Sequence, residues 1–182
     1  DIVTTTGTAG TADYTTTTTQ VTIPAGSLTV NVIIPILEDL LDEPNETFTV
    51  DGTLVSGTID TAASDFQGEV TIVDNDGTPT VTIGDVTVNE GDGTASVPVT
   101  LSSPSSVDTV IDIVTTTGTA GTADYTTTTI QVTIPAGSLT VNVIIPILED
   151  LLDEPNETFT VDGTLVSGTI DAANSDFQGE VT

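Results

Sequence analysis

Lysine, arginine and histidine are missing from all 182 residues, while aspartate and glutamate number 28, for a formal net charge of −28. That one-sided charge excludes nucleic acid as a partner, because nothing in the chain neutralises a phosphate. It excludes binding to an anionic membrane surface on the same ground. It also removes the usual catalytic equipment. Without His, Lys, Arg or Cys, no serine or threonine has a conventional activating base or a cationic oxyanion donor. Paired carboxylates of a glycosidase remain formally possible, but the chain has no Trp, two Tyr and four Phe to serve as sugar platforms. The chain is read as not an enzyme. With no cysteine, no disulfide framework substitutes for a core, and the redox compartment is not readable. No apolar run reaches the roughly 18–20 residues of a membrane span, and no signal peptide is visible.

What is present is a repeat. Asp1 to Thr71 returns at Asp112 to Thr182, a period of 111 residues, and only three aligned pairs differ: Thr19 with Ile130, Thr61 with Ala172, and Ala63 with Asn174. A period of that length is a small domain rather than a solenoid turn. The chain is expected to be a window on a longer periodic polymer, opening and closing in mid-repeat. Two modules are expected, 1–76 without its first strands and 77–182 without its last acidic strand end. They meet at Asp76–Gly77–Thr78–Pro79, a link short enough to predict neighbours held end to end in a rod.

The hydrophobic pattern has a period of two and no sustained helical period. From Leu139 the odd positions Leu139, Val141, Val143, Ile145 and Ile147 are apolar, and Ala95, Val97, Val99 and Leu101 alternate likewise. Ile111 and Ile113, Val132 and Ile134, Phe159 and Val161, and Val70 and Ile72 continue the count. Pro98 cannot donate to a ladder, so its strand is expected at a sheet edge or with a bulge. About seven such strands per repeat, separated by Gly, Pro, Asp and Asn turns, predict an all-β, two-sheet Greek-key sandwich. The abundant threonines suit an exposed sheet face because they are β-branched.

The acids concentrate in loops and strand ends: Asp74–Asn75–Asp76, Glu90, Asp124, and the run Glu149 to Glu157, with Asp13 and Glu38 to Glu46 as first-repeat counterparts. Two carboxylates about 4 Å apart repel by roughly 4 kcal/mol at an effective dielectric near 20. Loops of a sandwich gather at its ends, so several acidic loops form an oxygen-rich cup that needs cations. Calcium takes six to eight oxygen ligands in irregular geometry, whereas zinc and copper prefer His or Cys.

The order Gly-Thr-Ala-Asp-Tyr, Val-Thr-Ile-Pro-Ala-Gly, Ile-Pro-Ile-Leu-Glu-Asp-x-x-x-Glu-x-x-Glu-x-Phe, Val-Thr-Ile-Val-Asp-Asn-Asp and Val-x-Glu-Gly resembles the Calx-beta domain over essentially the whole chain. The resemblance implies tandem immunoglobulin-like, seven-stranded sandwiches with a calcium cluster at one tip. Carried onto this sequence, it implies Asp13, Glu38, Asp39, Glu43, Asp74 and Asp76 in the first module, with Glu46 as a further ligand. In the second it implies Glu90, Asp124, Glu149, Asp150 and Glu154, with Glu157 as an addition. The second module's Asp-Asn-Asp would lie beyond Thr182. Two departures bear on the number of ions: Glu38 or Glu149 stands where the family has an aspartate, and its acidic triplet is Asp74–Asn75–Asp76.

The functional expectation is a calcium-stiffened extender repeat in an adhesin or surface filament, extracellular and, by its composition, of bacterial origin. Its expected partners are neighbouring identical repeats, and other copies where filaments form. A calcium sensor switching a neighbouring domain, and a filament subunit polymerising by strand exchange, are the alternatives. Duplication to all but three of 71 residues favours the extender over the sensor. An EF-hand is rejected because Pro79 stands at the sixth position of Asp74–Asn75–Asp76–Gly77. Asn45–Glu46–Thr47 and Asn156–Glu157–Thr158 match a glycosylation acceptor inside the proposed calcium loop, and the Thr tracts are read as exposed strand or loop.

Overall fold

A computed structural model describes all 182 residues. Its strands in chain order are β1 (Ile2–Thr6), β2 (Thr18–Thr19), β3 (Glu46–Gly52), β4 (Gln67–Ile72), β5 (Val81–Ile83), β6 (Thr94–Leu101), β7 (Thr109–Thr117), β8 (Thr129–Ile134), β9 (Thr140–Pro146), β10 (Phe159–Ser167) and β11 (Gln178–Val181). The only helical element is one 3₁₀ turn, Glu90–Asp92. The chain divides into two units: Asp1–Asp39 with Pro44–Asn75, and Leu40–Glu43 with Asp76–Thr182.

The second unit holds a full set of seven antiparallel strands, as the alternation predicts. One sheet has the order β11-β10-β7-β8 and the other β5-β6-β9. Alternation explains the core directly, since inward positions of each strand are the apolar ones. Val81 and Ile83, Ala95, Val97, Val99 and Leu101, Ile111 and Ile113, Val132 and Ile134, Val143 and Ile145, Phe159 and Val161, and Val181 pack in one cluster. Each fully buried Val or Ile contributes about 1.5–3 kcal/mol, so a core nearly free of aromatics is still sufficient. The hairpins β5–β6, β7–β8 and β10–β11 stay within a sheet, while the links β6–β7, β8–β9 and β9–β10 cross between sheets.

One expectation is corrected. The Pro98 strand, β6, is neither at an edge nor bulged: it lies between β5 and β9, with continuous register from Thr94↔Pro146 to Thr100↔Thr140. The proline is accommodated because β5 ends with Ile83 opposite Val99. Beyond that point the Gly84 N–H donates to the Pro98 carbonyl at 2.9 Å, the half of an antiparallel exchange that needs no proline N–H. A Cβ at Gly84 would meet Pro98 Cγ at 2.9 Å, so glycine is required beside it.

After β5 the chain leaves β6 and runs parallel to β11. Val86 N–H donates to the Glu180 carbonyl, Val88 N–H to the Thr182 carbonyl, and Thr182 N–H to the Val86 carbonyl, at 2.9 to 3.0 Å. This clasp joins the two sheets and delivers the Glu90 turn to the end of β11. Gly179 permits it, since a Cβ there would lie 2.6 Å from the Gly84 carbonyl oxygen.

The first unit contains one four-stranded sheet, β2-β1-β3-β4. It corresponds by repeat to β8-β7-β10-β11. Its small core is Ala9, Tyr14 and Phe48, with Ile34, Val50, Val70 and Ile72 partly buried against them. Residues 29–35, identical to β9, form no strand here. In the second unit β9 pairs with β6, and the residues that would correspond to β6 are not among 1–71.

Candidate metal centre

The loop Gly121–Thr122–Ala123–Asp124–Tyr125 folds onto its own aspartate. Asp124 Oδ2 accepts the Gly121 N–H at 2.6 Å, while Asp124 and Tyr125 N–H both donate to the Gly121 carbonyl at 3.3 Å. The short polar side chain thereby closes the turn. Three longer links fix the turn in the sandwich. Leu148 N–H donates to the Asp124 carbonyl at 2.8 Å, and Thr126 N–H to the Pro146 carbonyl at 2.9 Å, which ties the loop to the end of β9. The buried Tyr125 ring stacks on Phe159 of β10, with centroids 3.9 Å apart and planes at 9°. Thr158 N–H donates to Thr119 Oγ1 at 2.7 Å.

Because Phe159 is anchored under Tyr125, the residues just before it are carried over the same loop. Asp124, Glu154 and Glu157 each bring a carboxylate oxygen, and the three oxygens lie within 4.8 Å of one another. Glu90, Asp124, Tyr125, Asp153, Glu154, Glu157 and Thr182 are among the residues lining a cleft of about 390 Å³ at this end. Glu90 reaches it on the 3₁₀ turn. There Asn89 N–H donates to Asp92 Oδ2 at 2.9 Å, and Gly93 closes the turn at φ 72°. Asp92 is thus occupied in capping, and Glu90 is the acid the turn presents to the cleft.

The electrostatic state follows from this crowding. Glu154 has its pKa raised above the ordinary value of 4.5, first by desolvation and then by the charges of Asp150, Asp124, Glu157 and Glu90. Glu157 is raised by desolvation, by the charge of Asp124, by a hydrogen bond shared with Asp124, and by Glu90. A hydrogen bond between two carboxylates requires a proton, so at neutral pH this arrangement asks for a cation in its place. Elsewhere a carboxylate surrounded by neutral donors behaves oppositely. Asp162 on β10 meets a desolvation that opposes ionisation, yet bonds from Gln178, Thr116 and Thr160 leave its pKa lowered.

The sequence-predicted residues of the second module divide accordingly. Glu90, Asp124, Glu154 and Glu157 line the cleft. Glu149 stands beside the Glu90 turn, its Oε1 3.9 Å from the position a Gly91 Cβ would take. Asp150 Oδ1 accepts the Leu152 N–H at 2.6 Å and shapes the loop. Asp153 lines the cleft but is not in the ligand set expected from sequence. Its place within the run Glu149 to Glu157 was the available signal.

In the first repeat Asp13, Glu38, Asp39, Glu46 and Asp74 belong to the first unit, while Glu43 and Asp76 group with the second. Asp13 repeats the Asp124 turn, with Oδ2 accepting the Gly10 N–H at 2.6 Å, and Tyr14 stacks on Phe48 at 3.9 Å. Glu38 Oε1 accepts from Asn75 Nδ2 at 2.7 Å, and Asp74 N–H donates to Asn45 Oδ1 at 3.1 Å. The two asparagines link the acidic segments of this unit, a role that counting carboxylates does not reveal.

The donor set suits a hard divalent cation. Calcium–oxygen distances of about 2.3–2.6 Å place two ligands of one ion at most about 5 Å apart, and 4.8 Å satisfies that limit for all three acids. Every ligand atom is a carboxylate oxygen, and the chain has neither His nor Cys to favour a softer metal.

The family model of the Calx-beta domain matches residues 1–76 and again 73–167. Among solved structures, the apo form of the Calx CBD1 domain is similar at 20% identity and a TM-score of 0.52, covering 58% of this chain and 95% of that one. The calcium binding domain CBD12 of CALX1.1 is similar at 19% identity and a TM-score of 0.44, covering 90% of this chain and 65% of that one. CBD12 from CALX1.2 matches at 18% identity and a TM-score of 0.44, covering 92% of this chain and 68% of that one. No match to a curated protein was found.

Proposed function

The chain belongs to the Calx-beta domain family, and from that premise we propose that it binds calcium through Asp124, Glu154 and Glu157, with Glu90 and Asp153 in reach. The observation that carries this reading is the meeting of three carboxylates from two loops, their oxygens within 4.8 Å of one another, in a chain with no basic side chain to neutralise them. Bound calcium would supply the missing positive charge. The residues themselves do the positioning: the Gly121 turn aims Asp124, the Tyr125–Phe159 stack aligns the two loops, and the parallel clasp to β11 brings Glu90. Asp13, Glu43 and Glu46 are their counterparts in the first repeat by sequence.

The larger role is mechanical. The chain is an extender segment of an extracellular adhesin or surface filament, in which calcium holds each module's acidic loops together under load. Three features support that role: duplication to all but three of 71 residues, the absence of His, Lys, Arg and Cys, and a threonine-rich composition. No helix is long and apolar enough to cross a membrane.

Thermal unfolding of the whole chain in millimolar calcium, in magnesium and in chelator tests the site. A ligand present at about 100 times its Kd stabilises by about 2.7 kcal/mol, so the midpoint of the second unit should rise by several degrees with calcium alone. Asp124→Asn combined with Glu157→Gln should abolish that rise. Identical curves in all three conditions at equal ionic strength would mean that the acids are only a solvated surface. Pulling single molecules in calcium and in chelator tests the mechanical role, which predicts a higher unfolding force with calcium.

A further inference from the structure

Charge is missing from one whole sheet of the second unit. The strands of β5-β6-β9 contain no aspartate or glutamate, in a chain that has 28 of them and no base. None occurs anywhere between Asp124 and Glu149. The facing sheet, by contrast, carries Asp112, Asp162 and Glu180. On the outer side of the uncharged sheet Thr82, Ser96, Thr140, Asn142 and Ile144 are exposed, Ile144 at 55%.

This sheet also has one open edge. The outer edge of β5 is engaged, since Ile83 N–H donates to the Asp176 carbonyl at 3.0 Å and Asp176 N–H to the Val81 carbonyl at 2.7 Å. At the other end of the sheet lies β9. Leu101 N–H donates to the Leu139 carbonyl at 2.7 Å, so by antiparallel alternation the main-chain groups of Val141, Val143 and Ile145 face β6. Those of Thr140, Asn142 and Ile144 therefore face outward. The open stretch ends at Pro146, which has no N–H and whose carbonyl accepts the Thr126 N–H at 2.9 Å. Sheets ordinarily guard such an edge with charges, bulges or a central proline. Between Thr140 and Ile144 there is neither charge nor proline, and the register with β6 is continuous.

We propose that the β9 edge pairs with the β9 edge of a second copy of this chain, antiparallel about a twofold axis at Asn142, joining two three-stranded sheets into one. The arrangement is self-complementary. It sets Asn142 of one copy opposite Asn142 of the other and Thr140 opposite Ile144, each pair exchanging both N–H···O bonds. Charge selects the occupant. A basic partner is drawn to the acidic loops instead, whereas two chains of −28 meet with least repulsion where neither brings a carboxylate. Closure follows as well, because pairing consumes both open edges and β5 offers none, so the product is a dimer and not a fibre. Repulsion between whole molecules opposes the dimer and no ion pair holds it, so salt strengthens it.

The proposal does not rest on the metal site, and its test is run on the full 182-residue chain in chelator. Sedimentation over a range of concentrations should show a monomer–dimer equilibrium that saturates at the dimer and tightens from low salt to about 1 M sodium chloride. Asn142→Asp places two carboxylates face to face on the axis and should weaken dimerisation at least tenfold. Thr164→Asp, which adds the same charge at an exposed position of β10, should leave it within about the error of the measurement. Because the chain has no cysteine, Asn142→Cys supplies a single thiol. Directly opposed residues of a bonded pair lie about 5.5 Å apart, within the roughly 4.4–6.8 Å that a disulfide spans. Mild oxidation should therefore link this variant into a covalent dimer, and Thr164→Cys should stay monomeric. A chain that remains monomeric at every concentration and salt overturns the proposal. So does open-ended association, equal weakening by the two aspartate variants, or equal cross-linking of the two cysteine variants.

Discussion

At the scale of single residues, the chain uses its carboxylates in two opposed ways. Asp51, Asp162 and Asp171 are fitted with neutral donors and have lowered pKa values. Asp51 is held by Gln67, Thr5 and Thr49, and Asp171 chiefly by Asn174. Glu154 and Glu157 are crowded by burial and by other acids and are raised. The consequences for stability have opposite signs. A raised acid stabilises the fold below its unfolded value of 4.5, and that contribution is lost as pH rises through its folded value. A lowered acid stabilises above 3.8, and loses that contribution as pH falls through its folded value. In chelator, stability should therefore increase as pH drops from 7 toward 4.5 and decline below 3.8. Calcium should release more protons on binding near pH 5 than at pH 7, read by calorimetry in buffers of different ionisation enthalpy. In the double variant Glu154→Gln, Glu157→Gln that difference should vanish. The two aspartates that close their own Gly-x-x-Asp turns, Asp13 and Asp124, were legible in sequence as acids. That one oxygen is spent on the Gly10 or Gly121 N–H was not, because it depends on the backbone of the turn.

At the scale of elements, period-two patterning was sufficient for strands whose partner is present. The inward positions Ala95, Val97, Val99 and Leu101 are all buried, as read from alternation alone. Where the partner is missing, the same alternation made no strand. Residues 29–35 and 140–146 are identical, yet only the latter form a ladder, because a strand is stabilised by cross-strand pairs and not by its own sequence. Equivalent substitutions should expose this. Ile145→Ala removes a fully buried side chain and should cost about 2–5 kcal/mol. Ile34→Ala, at the matching but half-buried position, should cost about 1 kcal/mol or less. Urea unfolding of each variant, followed by strand-specific hydrogen exchange, measures both. Pro98 was misread at this scale because sequence shows that a donor is absent but not where the neighbouring strand stops. β5 ends at Ile83, so Pro98 falls just past its last paired residue, and only the bond into the Pro98 carbonyl is made there.

At the scale of the molecule, the net charge of −28 acts on stability without any single partner. Raising sodium chloride from about 0.01 to about 1 M shortens the screening length from about 30 to about 3 Å. In chelator the thermal midpoint should rise steeply over that range. For a domain of this size each kcal/mol recovered appears as roughly 4–8 °C. With saturating calcium the slope should be shallower, since the closest carboxylates are already neutralised. Equal slopes in the two conditions would show that the tip acids contribute no more repulsion than the rest of the surface.

The sequence by itself determined the fold class, the repeat and the chemistry of the ligands. Alternation, a 111-residue period and a total lack of basic side chains are properties of composition and order, and folding cannot remove them. Only the tertiary structure decided which acids meet. Asp124 joins Glu154 and Glu157 because Tyr125 stacks on Phe159 and two backbone bonds pin the loop to β9. Glu149 stands beside the Glu90 turn, and Asp150 spends one oxygen on the Leu152 N–H while its charge still acts on Glu154. It also decided that one repeat completes both sheets while its near-identical copy forms a single sheet. That outcome depends on contacts with residues distant in the chain, and no local pattern within the 71 shared positions encodes it.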